Sequence, residues 1–527
     1  MNLADNVNVK LPVKRALIST SDKTGLIEFV SQLVKRGIEI MATSGTAKLL
    51  REHQISVIDT AQYTGFPEIM GGRVKTLHPK IYGGLLAWQN VDNEALNQHA
   101  IKVIDLLVVN LYPFHKMIAM PYCSIEQAIK QIDVGGHSML RAGAKNFSAV
   151  TVIIDHDDYS LILKEMEMNE GSTLLSTRKR LAQKTFEHLS RYDAQISAYL
   201  SENESELFPS QLSLSFQKKT RLRYGENSHQ SAALYSIIPP VSSSLTEAEL
   251  IQGKPLSFNN FLDSDCAYRF VYEGTEMMPT CVIVKHATIC GAACAKTQLS
   301  AYEKAYATDP LSAFGGVIAF NTLLEKKTTE QILSRQFVEV IIAPSFSNEA
   351  LVLLKAKPNL RLLIGKSLEN TKLSYSFYSI SGGLLAQETD ITTFDPTMIH
   401  DVSQRHPTRE ELQDLYFAWQ VVKYVKSNAI VYAKDKATYG IGSGQTSRVF
   451  AAKIAVIKAE NAGLSLKNAV MASDAFFSFS DGIKIAAEAG ITAVIQPGCS
   501  VRDKEIIKAV DQAGMAMIFT YQRHFRH

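Results

Sequence analysis

Short apolar runs alternate with helical periodicity along most of this chain. From Arg15 the run RALIS (15–19) meets the polar turn TSDKT (20–24). A helix is predicted next, with Leu26, Phe29, Val30, Leu33 and Val34 on one face and Gly37 as its stop. A strand over EIMAT (39–43), a Ser44-Gly45 turn, a short helix near 46–53 and a strand at 57–59 follow. The apolar runs VIDLLVVN (103–110) and AVTVIID (149–155) close this series. Near-continuous apolar strands alternating with helices predict a parallel α/β sheet covered on both faces.

A long helix is predicted over 176–200, after which SENESELFPSQLSLS (201–215) shifts to Ser, Glu and Pro. That shift marks a domain boundary, giving domains 1–200 and 201–527. Strand and helix signals then resume at CVIVK (281–285), GGVIAF (315–320), VEVIIAP (338–344), AVIQP (493–497) and MAMIFT (515–520). The helix signal TREELQDLYFAWQVVKYVK (408–426) separates two halves of this region. Each half carries an Asp-bearing aromatic turn, DPLSAFGG (309–316) and SDAFFSF (473–479), which hints at an internal duplication.

Composition narrows the class without naming a chemistry. A 527-residue chain exceeds one core, and 46% apolar with 20% charged residues is ordinary for globular domains. A formal charge of +3 gives no broad footprint for nucleic acid or an anionic membrane, yet leaves room for a basic pocket. Six cysteines without regular spacing argue against a secreted disulfide scaffold. The first residues lack the apolar core of a signal peptide, and no run is long enough to span a bilayer. A soluble, cytoplasmic, multidomain protein is the expectation.

Two hydroxyl-rich turns, TSDKT (20–24) and TSGT (43–46), each follow a strand and open a helix. Hydroxyls, free helix N–H groups and Lys23 suit a monophosphate, while Ser and Thr are also ordinary N-caps. Neither turn has P-loop glycines. The loop GGRVKTLHPK (71–80) packs four basic side chains around two glycines, which suits either a ligand loop or a solvated one. The run IDVGGHSMLRAGAK (132–145) adds Asp133 before a second glycine pair, and Lys145 near the end of the helix that follows.

In the second domain VKHATICGAAC (284–294) places Lys285 beside His286, ahead of Cys290 and Cys294. A zinc deaminase needs H-x-E and then P-C-x-x-C, and here Thr288 stands where the Glu belongs. The cysteines therefore read as small core residues. Lys285 and His286 are expected at the end of a strand, with a helix following Gly291. In that setting they are either structural or a proton-handling pair.

The strings GGRVKTLHP, NLYPF (110–114) and DVGG (133–136) with LRAGAKN (140–146) resemble the inosine-monophosphate cyclohydrolase part of a bifunctional purine-biosynthesis family. RYGENSHQ (223–230), LSFNN (256–260), DPLSAFGG, KSNAIVYAK (426–434), GSGQTSR (442–448) and QRHFRH (522–527) resemble its formyltransferase part. The resemblance implies a methylglyoxal-synthase-like parallel-sheet domain, then a duplicated cytidine-deaminase-like α/β domain without zinc. It implies formyl transfer from 10-formyltetrahydrofolate to 5-aminoimidazole-4-carboxamide ribonucleotide, followed by ring closure to inosine monophosphate. No metal is implied, and the assembly implied is a homodimer with shared formyltransferase sites.

Carried over by position, the resemblance makes Lys75, Tyr112, Asp133 and Lys145 the ring-closure residues. Ser19, Ser21, Lys23, Thr24, Ser44, Gly45, Thr46, Arg73, Thr76 and Asn110 would line the nucleotide and its phosphate. Lys285, His286 and Asn428 become the formyl-transfer group. Arg223, Tyr224, His229, Arg448 and Arg523 hold the ribonucleotide, and Ser312, Phe314 and Glu339 lie by the folate. Which of Lys285 and His286 is acid and which is base stays open. The chain departs from the family pattern at Tyr82, Trp88-Gln89, His137 and Phe147, and again at Thr288-Ile289, Ser478 and Ser480.

Overall fold

The structure is a computed structural model that describes residues 9–88, 91–201, 207–238, 240–241, 243–273, 278–366, 375–391, 397 and 399–527. The chain divides into two compact units, Met1–Ser215 and Phe216–His527. Of the predicted boundary stretch, residues 202–206 lie outside the described residues.

In the first unit the apolar runs become a five-stranded sheet. Its strands are β1 (Arg15–Thr20), β2 (Glu39–Ala42), β3 (Ile58–Asp59), β4 (Leu106–Asn110) and β5 (Thr151–Ile153). The spatial order is β3-β2-β1-β4-β5, and every pairing is parallel. Period-two alternation splits each strand between two cores. Ala16 and Ile18 of β1 join one hydrophobic cluster, while Leu17 joins the cluster on the opposite face. Helix α1 (Leu26–Lys35) buries Leu26, Phe29, Val30 and Leu33, but Val34 is exposed. Val34 follows Leu33 by one residue, hence by 100°, and falls off the apolar stripe. Helix α2 (Ser44–Glu52) begins two residues earlier than expected, so Ser44, Gly45 and Thr46 form its first turn. Helices α3 (Gly135–Lys145) and α4 (Leu175–Ser201) complete the layers.

The second unit is built twice from one plan. Helix α5 (Phe258–Glu273) leads into the hairpin β6 (Thr280–Lys285) and β7 (Thr288–Cys294), then α6 (Gln298–Thr308) and β8 (Gly316–Phe320). Helix α7 (Lys326–Arg335), β9 (Val338–Ala343), α8 (Asn348–Leu354) and β10 (Arg361–Ile364) finish the first half. The second half repeats the order with α9 (Arg409–Val422), β11 (Ile430–Lys434), β12 (Ala437–Gly442), α10 (Arg448–Asn461) and β13 (Val470–Ser473). It ends with α11 (Asp481–Glu488), β14 (Ala493–Gln496), α12 (Asp503–Gln512) and β15 (Ala516–Phe519). The halves join edge to edge through β7 and β12, forming one twelve-stranded sheet whose outermost strands are Glu249–Gln252 and His400–Asp401.

Two sequence expectations change here. The segment after His286 is a strand up to Cys294, and helix begins only at Gln298. Small residues explain why this strand is possible: a Cβ on Gly291 would stand 2.0 Å from the Ala305 carbonyl oxygen of α6. Gly440 of β12 meets Ala455 of α10 at 2.2 Å in the same way. The duplication is present, but the two aromatic turns are not its equivalent points. Asp309 precedes β8, whereas Asp474 follows β13, the strand that corresponds to β8.

Candidate functional sites

In the first unit the parallel strands β1, β2 and β4 all end at one edge, where ligands of such sheets bind. Asn110, the last residue of β4, organises the turn after β1. Its Oδ1 accepts the N–H groups of Ser21 (2.5 Å) and Asp22 (3.0 Å), and its Nδ2 donates to the Asp22 carbonyl at 3.0 Å. Ser21 Oγ also reaches Asn110 Oδ1 at 3.0 Å. Thr24 donates its hydroxyl to Asp22 Oδ1 at 2.7 Å. Lys23 turns inward, with Nζ donating to Thr46 Oγ1 at 2.7 Å and to the Thr20 carbonyl. Burial and the neighbouring Lys75 ammonium hold the Lys23 pKa below its ordinary value. A half-buried ammonium repelled by a second cation suits an anionic partner such as a phosphate. The first-turn N–H groups of Ser44, Gly45 and Thr46 lie alongside, since Thr43 gives α2 no side-chain cap. Thr43 instead donates to Ser19 Oγ at 3.0 Å, and Ser44 Oγ donates to Glu68 Oε2 at 2.6 Å.

The glycine-rich loop and α3 meet at close range. A Cβ on Gly135 would stand 2.8 Å from Thr76 Oγ1, and one on Gly136 would stand 2.7 Å from Asp133 Oδ2. Asp133 accepts the Gly136 N–H at 2.8 Å and donates its own N–H to the Tyr192 hydroxyl at 2.9 Å. Burial raises its carboxyl pKa against the pull of Gly136 N–H, Lys75 and His137. The Lys75 ammonium is thus within electrostatic reach of both the Lys23 ammonium and the Asp133 carboxyl. Arg73 is exposed and donates Nε to the Met70 carbonyl at 3.0 Å. Tyr112, two residues past β4, is exposed as well. Lys145 is exposed at the far end of α3 from Asp133, about 15 Å away along the helix rise. Tyr82, one of the departures, is half-buried with its hydroxyl near Ser138 and the Asp133 charge. Gln89 lies outside the described residues.

In the second unit the hairpin turn between β6 and β7 carries the Lys-His pair. Lys285 ends β6, while His286 and Ala287 form the turn at φ +54° and +56°. Positive φ at both central residues fits the tight two-residue turn that joins twisted strands. Lys285 Nζ donates to the Phe314 carbonyl at 2.5 Å, and His286 is exposed. Thr288 has a partner of its own, because its Oγ1 accepts the Lys426 N–H at 3.3 Å. That bond brings the Lys426–Asn428 segment beside the hairpin. Asn428 Nδ2 donates to the Gln445 carbonyl at 2.7 Å.

Phe314 opens onto a cavity of about 690 Å³ whose walls include Arg223, Lys254, Phe337, Glu339 and Arg361. The Phe314 and Phe337 rings stand 5.7 Å apart, and Arg361 pairs with Glu339 at 2.7 Å. Arg223 lies over the Tyr224 ring at 5.3 Å. Ser312 donates to Asp309 Oδ2 at 2.7 Å. Arg448 is engaged elsewhere, donating to the buried Asp474 at 2.9 Å and to the Phe476 carbonyl at 3.0 Å. Ser427 Oγ also donates to Asp474, which links Arg448 to the peptide before Asn428. His229 and Arg523 are exposed, outside the cavity lining.

Cys281, Cys290 and Cys294 lie in the core, and burial pushes the Cys290 thiol up to about 12. At neutral pH Cys290 is therefore a protonated core side chain. Among the described residues, no helix is long and apolar enough to cross a membrane. Asp263, Glu68 and Lys254 also stand at these sites and were not singled out in the sequence. Only LSFNN, just before Asp263, pointed to that region.

An MGS-like domain model matches residues 25–138, which holds the second hydroxyl turn (43–46), the glycine loop and Asp133, and starts just after the first hydroxyl turn. The crystal structure of ForH is 33% identical, over 36% of this chain and 99% of its own, with a TM-score of 0.33. The family model described as AICARFT/IMPCHase bienzyme matches residues 143–458, more than half of the chain, and includes the Lys285-His286 hairpin, most of the cavity's walls and Asn428. On that match the chain belongs to the AICARFT/IMPCHase bienzyme family.

Proposed function

We propose that the two activities of this family divide between the two units. The family transfers a formyl group to 5-aminoimidazole-4-carboxamide ribonucleotide and cyclises the product to inosine monophosphate. Formyl transfer is assigned to residues 201–527 and ring closure to 1–200. The observation that carries the first assignment is the Lys285–Phe314 contact at 2.5 Å, which puts the Lys-His hairpin on the rim of a basic, aromatic cavity.

In the transfer step the substrate's amine nitrogen attacks the formyl carbon of 10-formyltetrahydrofolate. The tetrahedral adduct then expels the folate N10, and one proton moves from the amine to the leaving nitrogen. His286 is exposed to take the amine proton, and Lys285 can stabilise the oxyanion or protonate N10. General acid–base help of this kind is worth roughly 10²–10⁴-fold. Asn428 is one segment away and suited to orient the formyl oxygen or His286. Arg223 offers a cation to the phosphate, and the Phe314–Phe337 pair offers ring surface to a pteridine.

For ring closure the carboxamide nitrogen attacks the formyl carbon, and the former formyl oxygen leaves as water. In this reading Lys75 stabilises the oxyanion and Asp133 and Tyr112 move protons, while Lys145, at the far end of α3 from Asp133, is left without a part in the step. The Lys23, Thr46 and Ser44–Thr46 cluster takes the phosphate. The same reading makes the enzyme a cytoplasmic homodimer. The ribbon Tyr375–Ile380 and Gly383–Glu388 exposes Tyr378, Ile380, Leu384 and Leu385, apolar surface that a second copy would cover.

The test is to incubate the full chain with the carboxamide ribonucleotide and 10-formyltetrahydrofolate and follow both products by chromatography. Formamido intermediate followed by inosine monophosphate is expected. Intermediate without closure would remove the ring-closure assignment, and neither product from folded protein would remove both.

A further inference from the structure

The turn that presents Lys285 and His286 is held by a carboxylate from another element. Asp263, the sixth residue of α5, accepts the Ala287 N–H at 2.6 Å and also faces the His286 N–H. Both turn residues have positive φ, a region disfavoured for non-glycine residues. A turn without glycine needs outside support to stay in one conformation. The groups facing the Asp263 carboxylate are the Lys285 and His286 side chains and the Cys266 and Cys290 thiols, which burial keeps protonated.

The second half supplies an internal comparison. Asp414, the sixth residue of α9, accepts the Asp435 N–H at 2.9 Å and the Lys436 N–H at 2.7 Å. Asp435 and Lys436 also sit at positive φ, +49° and +50°. A helix carboxylate clamping a two-residue hairpin is thus an architectural device used twice. Only in the first half does the clamped turn carry the Lys-His pair beside the cavity.

We propose that Asp263 is a positioning residue for formyl transfer, fixing the aim of His286 and Lys285 through the backbone of their turn. This rests on the formyl-transfer assignment above. Asp263→Ala removes both acceptor oxygens, whereas Asp263→Asn keeps one. Asp414→Ala removes the equivalent clamp where no reaction is assigned.

The experiment compares the three variants in the full chain, measuring formyl-transfer kcat and KM, ring closure from supplied intermediate, and the thermal unfolding midpoint. Asp263→Ala is expected to lower kcat about 10–100-fold, the scale of a misplacement near 1 Å. Its ribonucleotide KM should stay within about twofold and its ring closure should be unchanged, because the defect lies in aim and not in binding. Asp263→Asn should keep kcat within about threefold. Asp414→Ala should lower the midpoint as much as Asp263→Ala does, yet keep formyl transfer. Wild-type kcat in Asp263→Ala overturns the proposal, as does an equal kcat loss in Asp414→Ala. An Asp263→Asn variant as damaged as the alanine variant also overturns it, since charge and not backbone support would then matter. If folded wild-type protein transfers no formyl group, the assignment itself falls and takes the proposal with it.

Discussion

Asp133 shows how one residue can be bad for stability and useful for chemistry. Burial raises its carboxyl pKa, so the folded state resists its ionisation. Below the ordinary carboxylate range both folded and unfolded chains carry the proton and there is no penalty. As pH rises through the raised value the folded unit must hold a buried charge, and stability falls. Asp133→Asn keeps an acceptor for the Gly136 N–H and removes that charge. At neutral pH it is expected to raise the unfolding midpoint of the first unit by roughly 2 °C, while slowing ring closure about 10²-fold or more. Thermal unfolding at pH 7 and at pH 3 checks the sign, since the gain should vanish at the lower pH. Gly136→Ala approaches the same carboxylate by sterics. Its Cβ, 2.7 Å from Asp133 Oδ2, would displace the side chain and should cut ring closure about 10–100-fold, leaving formyl transfer intact. At this scale the motif-borne residues were singled out because whole strings such as GGRVKTLHP and DVGG resemble a known family; the glycine pairs and the Lys-His pair alone did not separate ligand loop from solvated loop. Asp263 and Glu68 were not, because a lone acid on a helix or loop looks the same whether it faces water or a turn.

At the scale of elements, the apolar runs identified the five sheet strands of the first unit and β6, β8, β9, β14 and β15 of the second, but left β10 to β13 and most of the second unit's helices unread. The miss at β7 has a physical cause. Glycine and alanine carry weak strand propensity, and the β7 strand is held by its ladder with β6, while Gly291 leaves room for the backbone of α6. Helix α4 holds another feature hidden in a charge-rich run. Arg178 is fully buried and donates to the carbonyls of Phe147 at 3.0 Å, Thr173 at 2.5 Å and Ser148 at 3.2 Å. No carboxylate pairs with it in these bonds, and burial lowers its pKa to about 10. In the sequence, STRKR (176–180) reads as a solvated face, yet one of its three cations fastens α4 to the sheet edge. Arg178→Met would leave several buried carbonyls without donors. It is expected to destabilise the first unit by about 3–5 kcal/mol in denaturant unfolding, with the second unit's transition unmoved.

On the scale of the whole molecule, the placement of hydrophobic clusters decides which pieces can fold alone. Two clusters lie wholly in the first unit, and three lie wholly in the second. Within the second unit the duplication does not make two independent bodies. Val282 and Val284 of β6 share one cluster with Val431 of β11 and with α5 and α9, so a single core lines one face of the sheet across both halves. On the other face Cys281 and Ile283 belong to a first-half cluster, and Ile430 and Tyr432 to a second-half one. Cutting between the halves would expose the shared core and the edge joining β7 to β12. Separately produced fragments should therefore behave unequally. Residues 1–215 are expected to fold and to close the ring of supplied intermediate, and 216–527 to unfold in one cooperative transition. Fragments 216–366 and 399–527, each lacking half of the shared core, should give no cooperative transition and should aggregate. Circular dichroism and thermal melts of the four fragments check this. A cooperative melt in either half alone would show that the outer-face cluster suffices, and that the shared core serves the site more than the fold.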